Sequence, residues 1–164
     1  MQNLDAERLV LEMAERLRPF VTDKSAIVGI HTGGAWLAEK LRPLLGASLP
    51  MGMLDVSFYR DDFGRAGLHP DIEPSEIAFD VSGRDIILID DVLFTGRSVR
   101  AAMNELFDYG RPASIILAVL VDRGGRELPI SAQVTGMTMA LDASQNIKLS
   151  RNDQGELALT LFDK

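Results

Sequence analysis

The chain has 164 residues, 46% hydrophobic and 25% charged, with a formal net charge of −7 and no cysteine. That length suits one domain with a sizeable core, and the lack of cysteine excludes disulfides, thiolate metal sites and a thiol nucleophile. The acidic balance weighs against nucleic acid as the main partner, because such binding rests on phosphate neutralisation by Lys and Arg. No apolar run of about 18 residues is present to span a membrane, and residues 1–8 are polar and charged rather than an apolar signal core. A cytoplasmic protein is expected.

In chain order, Leu4, Leu9, Leu11, Met13 and Leu17 among acids and arginines predict an amphipathic helix over 4–18, ended by Pro19. Ser25 to Ile30 reads as a buried strand running into His31-Thr32-Gly33-Gly34 and then a helix over 35–41. A third strand is predicted over 51–59, with Asp55 and Ser57 on one side and Val56 and Phe58 on the other. Arg60 to Ser75, with Gly64, Gly67, Pro70 and Pro74, has no period; so long a structureless stretch in a compact domain is a functional lid or a mobile loop.

Ile86 to Ile89, four branched apolar residues in a row, predict a strand covered on both faces, with Asp90 and Asp91 where it emerges. A turn at Gly96 then leads to a helix from Val99, which Gly110 and Pro112 stop. Ser114 to Val121 is the longest and most apolar strand, followed by the polar, glycine-bearing run Asp122 to Glu127. Short strands are expected near 132–135, 147–150 and 157–162, the last two joined by a hairpin turn at 152–155.

These elements predict an α/β fold in one domain over 1–164: a mostly parallel sheet, helices on both faces and an antiparallel extension near the end. Three strands end in polar glycine loops, and the carboxyl ends of parallel strands share one rim, so a single cleft is expected.

Thr95-Gly96-Arg97-Ser98 joins a glycine that permits close backbone approach to two hydroxyls and a cation, at a helix start that can cradle an anion. The plainer reading is that Ser98 caps the helix and Gly96 makes a tight turn. Asp90 and Asp91 in front add a second clue, since adjacent carboxylates repel and need a ligand. That ligand is a metal or a vicinal diol, and a diol one helical turn from a phosphate describes a ribose 5-phosphate.

Residues 86–98 resemble the thirteen-residue phosphoribosyl pyrophosphate (PRPP) signature of type I phosphoribosyltransferases: hydrophobic residues, two acids, then T-G-x-S/T. Residues 55–62, 99–106, 110–116 and 117–130 extend the resemblance to the family of bifunctional pyrimidine-operon regulators and uracil phosphoribosyltransferases. The match is clear from about residue 26 to about residue 130 and weaker at both ends.

The resemblance implies the type I phosphoribosyltransferase fold, with a small hood and a mobile lid. It implies that Asp90 and Asp91 bind the ribose hydroxyls and that Val92, Leu93, Phe94, Thr95, Gly96, Arg97 and Ser98 hold the 5′-phosphate. Thr32 and Gly33 would meet pyrophosphate, Arg60 would act from the lid beside the catalytic Asp90 and Asp91, and Arg123 and Ile147 would face the nucleobase. The implied reaction converts uracil and PRPP to UMP and pyrophosphate, with Mg2+ carried by PRPP and no protein metal ligand assigned. A homo-oligomer of two or more subunits is implied as well.

Three departures from the family pattern stand out. The pyrophosphate loop, often Lys-Thr-Arg-Gly, here reads His31-Thr32-Gly33-Gly34 and lacks both cations. The nucleobase loop has Gly125 where histidine is common. The region from Gly136 to Asn146 holds no Lys or Arg, and Arg8, Arg16 and Arg18 sit among Asp5, Glu7, Glu12 and Glu15, so RNA binding is disfavoured. Three readings stay open: a uracil phosphoribosyltransferase that also regulates pyrimidine genes, a weakly catalytic or non-catalytic sensor of nucleotide or PRPP acting through RNA, and a transferase for another base.

Overall fold

The computed structural model describes residues 2–57 and 75–164. A short strand, β1 (Gln2–Leu4), precedes helix α1 (Ala6–Leu17), whose start is capped by Asp5 accepting from the Arg8 amide at 3.0 Å. α1 buries Leu9, Val10, Met13, Ala14 and Leu17, the stripe its apolar spacing dictates, and passes into one 3-10 turn at Arg18–Phe20, where Pro19 sits. Strand β2 (Ser25–Ile30), helix α2 (Gly33–Leu45) and strand β3 (Met51–Leu54) follow. Then come β4 (Asp85–Leu93), α3 (Arg97–Tyr109), β5 (Ser114–Asp122), β6 (Val134–Thr138), β7 (Gln145–Arg151) and β8 (Leu157–Asp163).

The main sheet is all parallel in the order β3-β2-β4-β5-β6, and β1-β8-β7 form a separate antiparallel sheet. Alternation along the central strands sorts their side chains into two cores. Ile27, Ile87, Ile89, Ala118 and Leu120 pack with α1 and α2 on one face, together with Ile147, Leu149, Leu157 and Leu159 of the small sheet. Ala26, Val28, Ile86, Leu88 and Val119 pack with Val99, Ala102 and Leu106 of α3 on the other. Each fully buried Ile or Leu contributes about 1.5–3 kcal/mol over an exposed one. Surface ion pairs such as Arg8–Glu12 add at most about 1 kcal/mol each, so the two cores hold the fold.

The α/β expectation is met, with four local corrections. The third strand stops at Leu54 instead of 59, because the Asp55 carboxylate turns back to accept from the Ser57 amide (2.8 Å) and hydroxyl. An Asx turn of this kind competes with the sheet ladder. The antiparallel extension is a sheet of its own, and it recruits β1, which pairs Gln2 with Leu161 and takes Leu4 from the start of the expected helix. The strand expected at 132–135 lies at 134–138 and is the parallel edge of the main sheet. Finally, Asp90 and Asp91 lie inside β4 rather than beyond it, because β5 runs alongside as far as Leu93↔Asp122.

The predicted lid, Arg60 with it, falls outside the described residues apart from Ser75. Ser75 donates from its hydroxyl to Glu105 Oε1 of α3 (2.6 Å) and accepts from the Asp55 amide (3.0 Å). Among the described residues no helix is long and apolar enough to cross a membrane.

Candidate active site

Three loops leave the carboxyl ends of neighbouring parallel strands: 31–32 after β2, 94–96 after β4 and 123–133 after β5. Strand alternation puts Asp90 on the α3 side with Ile86 and Leu88, and Asp91 on the α2 side with Ile87 and Ile89. The two carboxylates therefore leave β4 in opposite directions, which relieves the repulsion expected of neighbours. Each accepts from the next amide in the chain: Asp90 Oδ1 from Asp91 and Asp91 Oδ1 from Val92, both at 2.9 Å. Asp90 is nearly buried, at 4% exposure.

The first loop lies directly on Asp91. A Cβ at Gly33 would stand 2.3 Å from Asp91 Oδ2, and one at Gly34 would stand 2.4 Å from the Ile89 carbonyl oxygen. Glycine at both positions lets the start of α2 press against β4. Thr32 occupies the N-cap position of α2 without a side-chain cap, the His31–Thr32 peptide is cis, and the His31 amide donates to the Leu54 carbonyl at 2.8 Å.

The second loop wraps the start of α3. The cap position is Gly96, with φ of +94°, and no side chain caps the helix, so the plain reading of Ser98 as the cap does not hold: Ser98 lies within the first turn. Thr95, buried, accepts at Oγ1 from the Arg97 amide at 3.2 Å. The Arg97 side chain is turned to the third loop, where Nε donates to Glu127 Oε1 at 3.0 Å. What remains toward an anion is the uncapped helix start, with the hydroxyls of Thr95 and Ser98 beside it.

The third loop is laced to the second. The Glu127 and Leu128 amides both donate to the Thr95 carbonyl, at 3.0 and 3.1 Å. Arg126 spans the gap, donating to the Phe94 carbonyl (2.9 Å), the Ile130 carbonyl (2.8 Å) and Asp122 Oδ2 (2.5 Å). Arg123, only 6% exposed, lays its guanidinium over the Phe94 ring at 4.2 Å, a cation–π geometry. Its Nη1 donates to Asn146 Oδ1 at 3.2 Å and its Nη2 to the Gln145 carbonyl at 3.4 Å. Gly125 is required beneath Phe94, since a Cβ there would come within 2.4 Å of the ring.

Burial pushes the Asp122 carboxyl up, but the hydrogen bonds from Arg126 and the Gly124 amide and the Arg126 charge outweigh it, so Asp122 titrates below the usual carboxylate range. A carboxyl with a folded value below its unfolded value of about 3.9 adds stability above that value and loses it as pH falls through the folded one. Asp122→Asn is therefore expected to lower the urea midpoint at pH 7 and to lessen its decline below pH 4; a parallel acid decline in both proteins would contradict the Asp122–Arg126 link.

The structure thus brings Thr32, Gly33, Asp90, Asp91, Val92 to Ser98 and Arg123 to one rim. Ile147 reaches it indirectly. Its side chain is in the core and its amide donates at 3.0 Å to Asn146 Oδ1, the oxygen that also holds Arg123. Sequence reasoning missed Gln145, Asn146, Arg126 and Glu127 as organisers of the rim; the only available signal was the i,i+4 spacing of Asp122 and Arg126. Among the described residues no cluster of three or more His, Asp or Glu is placed to hold a metal ion.

The family model described as phosphoribosyl transferase domain matches residues 5–150. A relative from Nitrosococcus oceani described as bifunctional protein PyrR is 48% identical, covering 98% of this chain and 93% of its own. One from Pseudomonas paraeruginosa with the same description is 51% identical, covering 86% and 85%. Among solved structures, a hypoxanthine-guanine phosphoribosyltransferase from Bacillus anthracis superposes with a TM-score of 0.68 over 85% of this chain and 84% of its own, at 15% identity, which is a likeness of fold. A purine phosphoribosyltransferase from Pyrococcus horikoshii gives a TM-score of 0.64 over 82% and 83%, at 26% identity.

Proposed function

Because the chain belongs to the phosphoribosyltransferase family, we propose that it transfers the phosphoribosyl group of PRPP to uracil, giving UMP and pyrophosphate, as one domain over 1–164. The observation that carries this is the meeting of three loops, which sets an acid pair, an uncapped helix start and a buried arginine around one rim. In this reading Asp90 and Asp91 accept hydrogen bonds from the ribose hydroxyls. The amides of Ser98 and Val99, with the Ser98 hydroxyl, receive the 5′-phosphate, and Thr95 holds the Arg97 amide beside them. Thr32 and Gly33 face pyrophosphate, Arg123 and the backbone at Ile147 face the base, and Arg60 belongs to the site on sequence grounds alone.

The reaction asks little covalent chemistry of the chain. Pyrophosphate leaves C1′ as positive character builds on the ribose and a ring nitrogen of the base attacks. Fixed carboxylates on the sugar and fixed donors on its phosphate hold C1′ between base and leaving group. The carboxylates are hard oxygen donors of the kind that suits Mg2+, and Mg2+ brought in with PRPP would supply neutralisation of the pyrophosphate oxygens. The His31-Thr32-Gly33-Gly34 loop offers no Lys or Arg to that leaving group, so its contribution rests on backbone amides and the Thr32 hydroxyl. A steady-state assay of PRPP consumption with Mg2+ across a panel of pyrimidine and purine bases tests the proposal. Uracil is expected to be the preferred acceptor; no turnover with any base overturns it.

The description of the relatives as bifunctional favours a second role, control of pyrimidine genes. RNA as the means is disfavoured by the absence of Lys and Arg across 136–146. Gel-shift titration against the leader RNA of the organism's pyrimidine genes is expected to show no complex at micromolar protein. The exposed Leu11, Phe20, Phe107 and Tyr109 suit contact with a second copy of the chain, which sedimentation would report.

A further inference from the structure

Arg123 is a buried cation whose partners among the described residues are all neutral: the Phe94 ring, Asn146 Oδ1 and the Gln145 carbonyl. Its Nε is buried as well and has no hydrogen-bond partner among the described residues. Desolvating a guanidinium against neutral groups, with one donor unmet, is unfavourable unless something else completes the set. Carboxylates that could have neutralised it are close in sequence but committed elsewhere, Asp122 to Arg126 and Glu127 to Arg97.

Asn146 is the residue that sets this arrangement. Its Oδ1 accepts twice, from Arg123 Nη1 and from the Ile147 amide of its own strand, so the acceptor is pinned by β7 before Arg123 meets it. Phe94 supports the opposite side, and Gly125 leaves the room its ring needs. A neutral acceptor orients the guanidinium without cancelling its charge, whereas a carboxylate in the same place would capture it in a charge-assisted pair.

We infer that Asn146 is a positioning residue, which holds Arg123 with its charge uncompensated for the nucleobase. The inference rests on the assignment of Arg123 to the base made above. It makes specificity for the base depend on a side chain 23 residues away, in the small sheet.

The test compares the full-length protein with Asn146→Asp and Asn146→Ala, by calorimetric titration with UMP and with ribose 5-phosphate and by urea unfolding. Ribose 5-phosphate lacks the base and reports the sugar-phosphate half alone. In Asn146→Asp, UMP affinity is expected to fall at least tenfold, ribose 5-phosphate affinity to stay within twofold, and the urea midpoint to hold or rise. Asn146→Ala is expected to weaken UMP selectively too, with the KM for the base rising more than kcat falls, and it serves if the Asp variant does not fold. If Asn146 were merely structural, Asp would strengthen the contact and leave UMP affinity unchanged; that result overturns the inference, as does an equal loss for both ligands. Failure of the wild-type protein to bind UMP would instead remove the proposed function, and the inference with it.

Discussion

Asp91→Asn is expected to leave the urea midpoint unchanged and to lower turnover on the order of 10²–10³-fold, the scale seen when one preorganised polar group is removed from a transition-state site. The two outcomes separate because of where the carboxylate stands. Among the described residues its Oδ1 accepts from the Val92 amide alone, Oδ2 lies against Gly33, and no ion pair depends on its charge. β4 is held by its ladders to β2 and β5 and by the apolar residues preceding Asp90, none of which the substitution touches. Asparagine keeps the size and one acceptor oxygen but replaces the other with a donor, the wrong polarity for the ribose hydroxyls of the proposed substrate. Calorimetry with PRPP and Mg2+ checks the binding half; unchanged affinity would remove Asp91 from the site.

A second large effect comes from two adjacent glycines that behave differently. Gly33→Ala places a methyl group against the Asp91 side chain, 2.3 Å from Oδ2 and 2.6 Å from Cγ. The carboxylate can rotate away but Asp91 Cβ, 2.8 Å off, cannot, so the start of α2 must shift as well: turnover is expected to drop about 10²-fold, as for a misplacement of about 1 Å, with a smaller loss of stability than at Gly34. Gly34→Ala meets backbone instead, 2.4 Å from the Ile89 carbonyl oxygen and 3.1 Å from Asp90 Cα. The central strand cannot give way, and overpacking there is expected to cost about 1–3 kcal/mol or more. Urea midpoints with steady-state kinetics on both variants read the contrast. Full activity in Gly33→Ala would mean that the start of α2 shifts freely, and that the loop does not fix Asp91.

The departures from family pattern gain physical content from the same contacts. Gly33, where the family often carries an arginine, has no space for any side chain while Asp91 points toward it. Restoring that cation requires moving the carboxylate, so the glycine and the aspartate form one unit. Gly125, where histidine is common, is likewise matched to the Phe94 ring it lies beneath. Neither pairing could be read from the chain, since 33 and 91, or 94 and 125, meet only through the sheet.

Local pattern alone marks the three strand–turn units and the chemistry each can offer. Ser25 to Ile30, Ile86 to Ile89 and Ser114 to Val121 are apolar runs with no polar face, which can only be interior parallel strands, and the residues after them are local in the chain. The resemblance over 86–98 named the ligand from those same local residues. Tertiary structure decided what the local signals could not carry. β5 extends β4 past its aspartates and sends them to opposite faces, and β8 turns Gln2–Leu4 into a strand. β7 supplies Asn146 to a buried arginine, and Glu127 takes the side chain of Arg97 away from the uncapped start of α3. In each case the deciding contact joins residues far apart in sequence, where neither periodicity nor motif spacing contains the partner; the strand order, set by burying two apolar faces at once, brings them together.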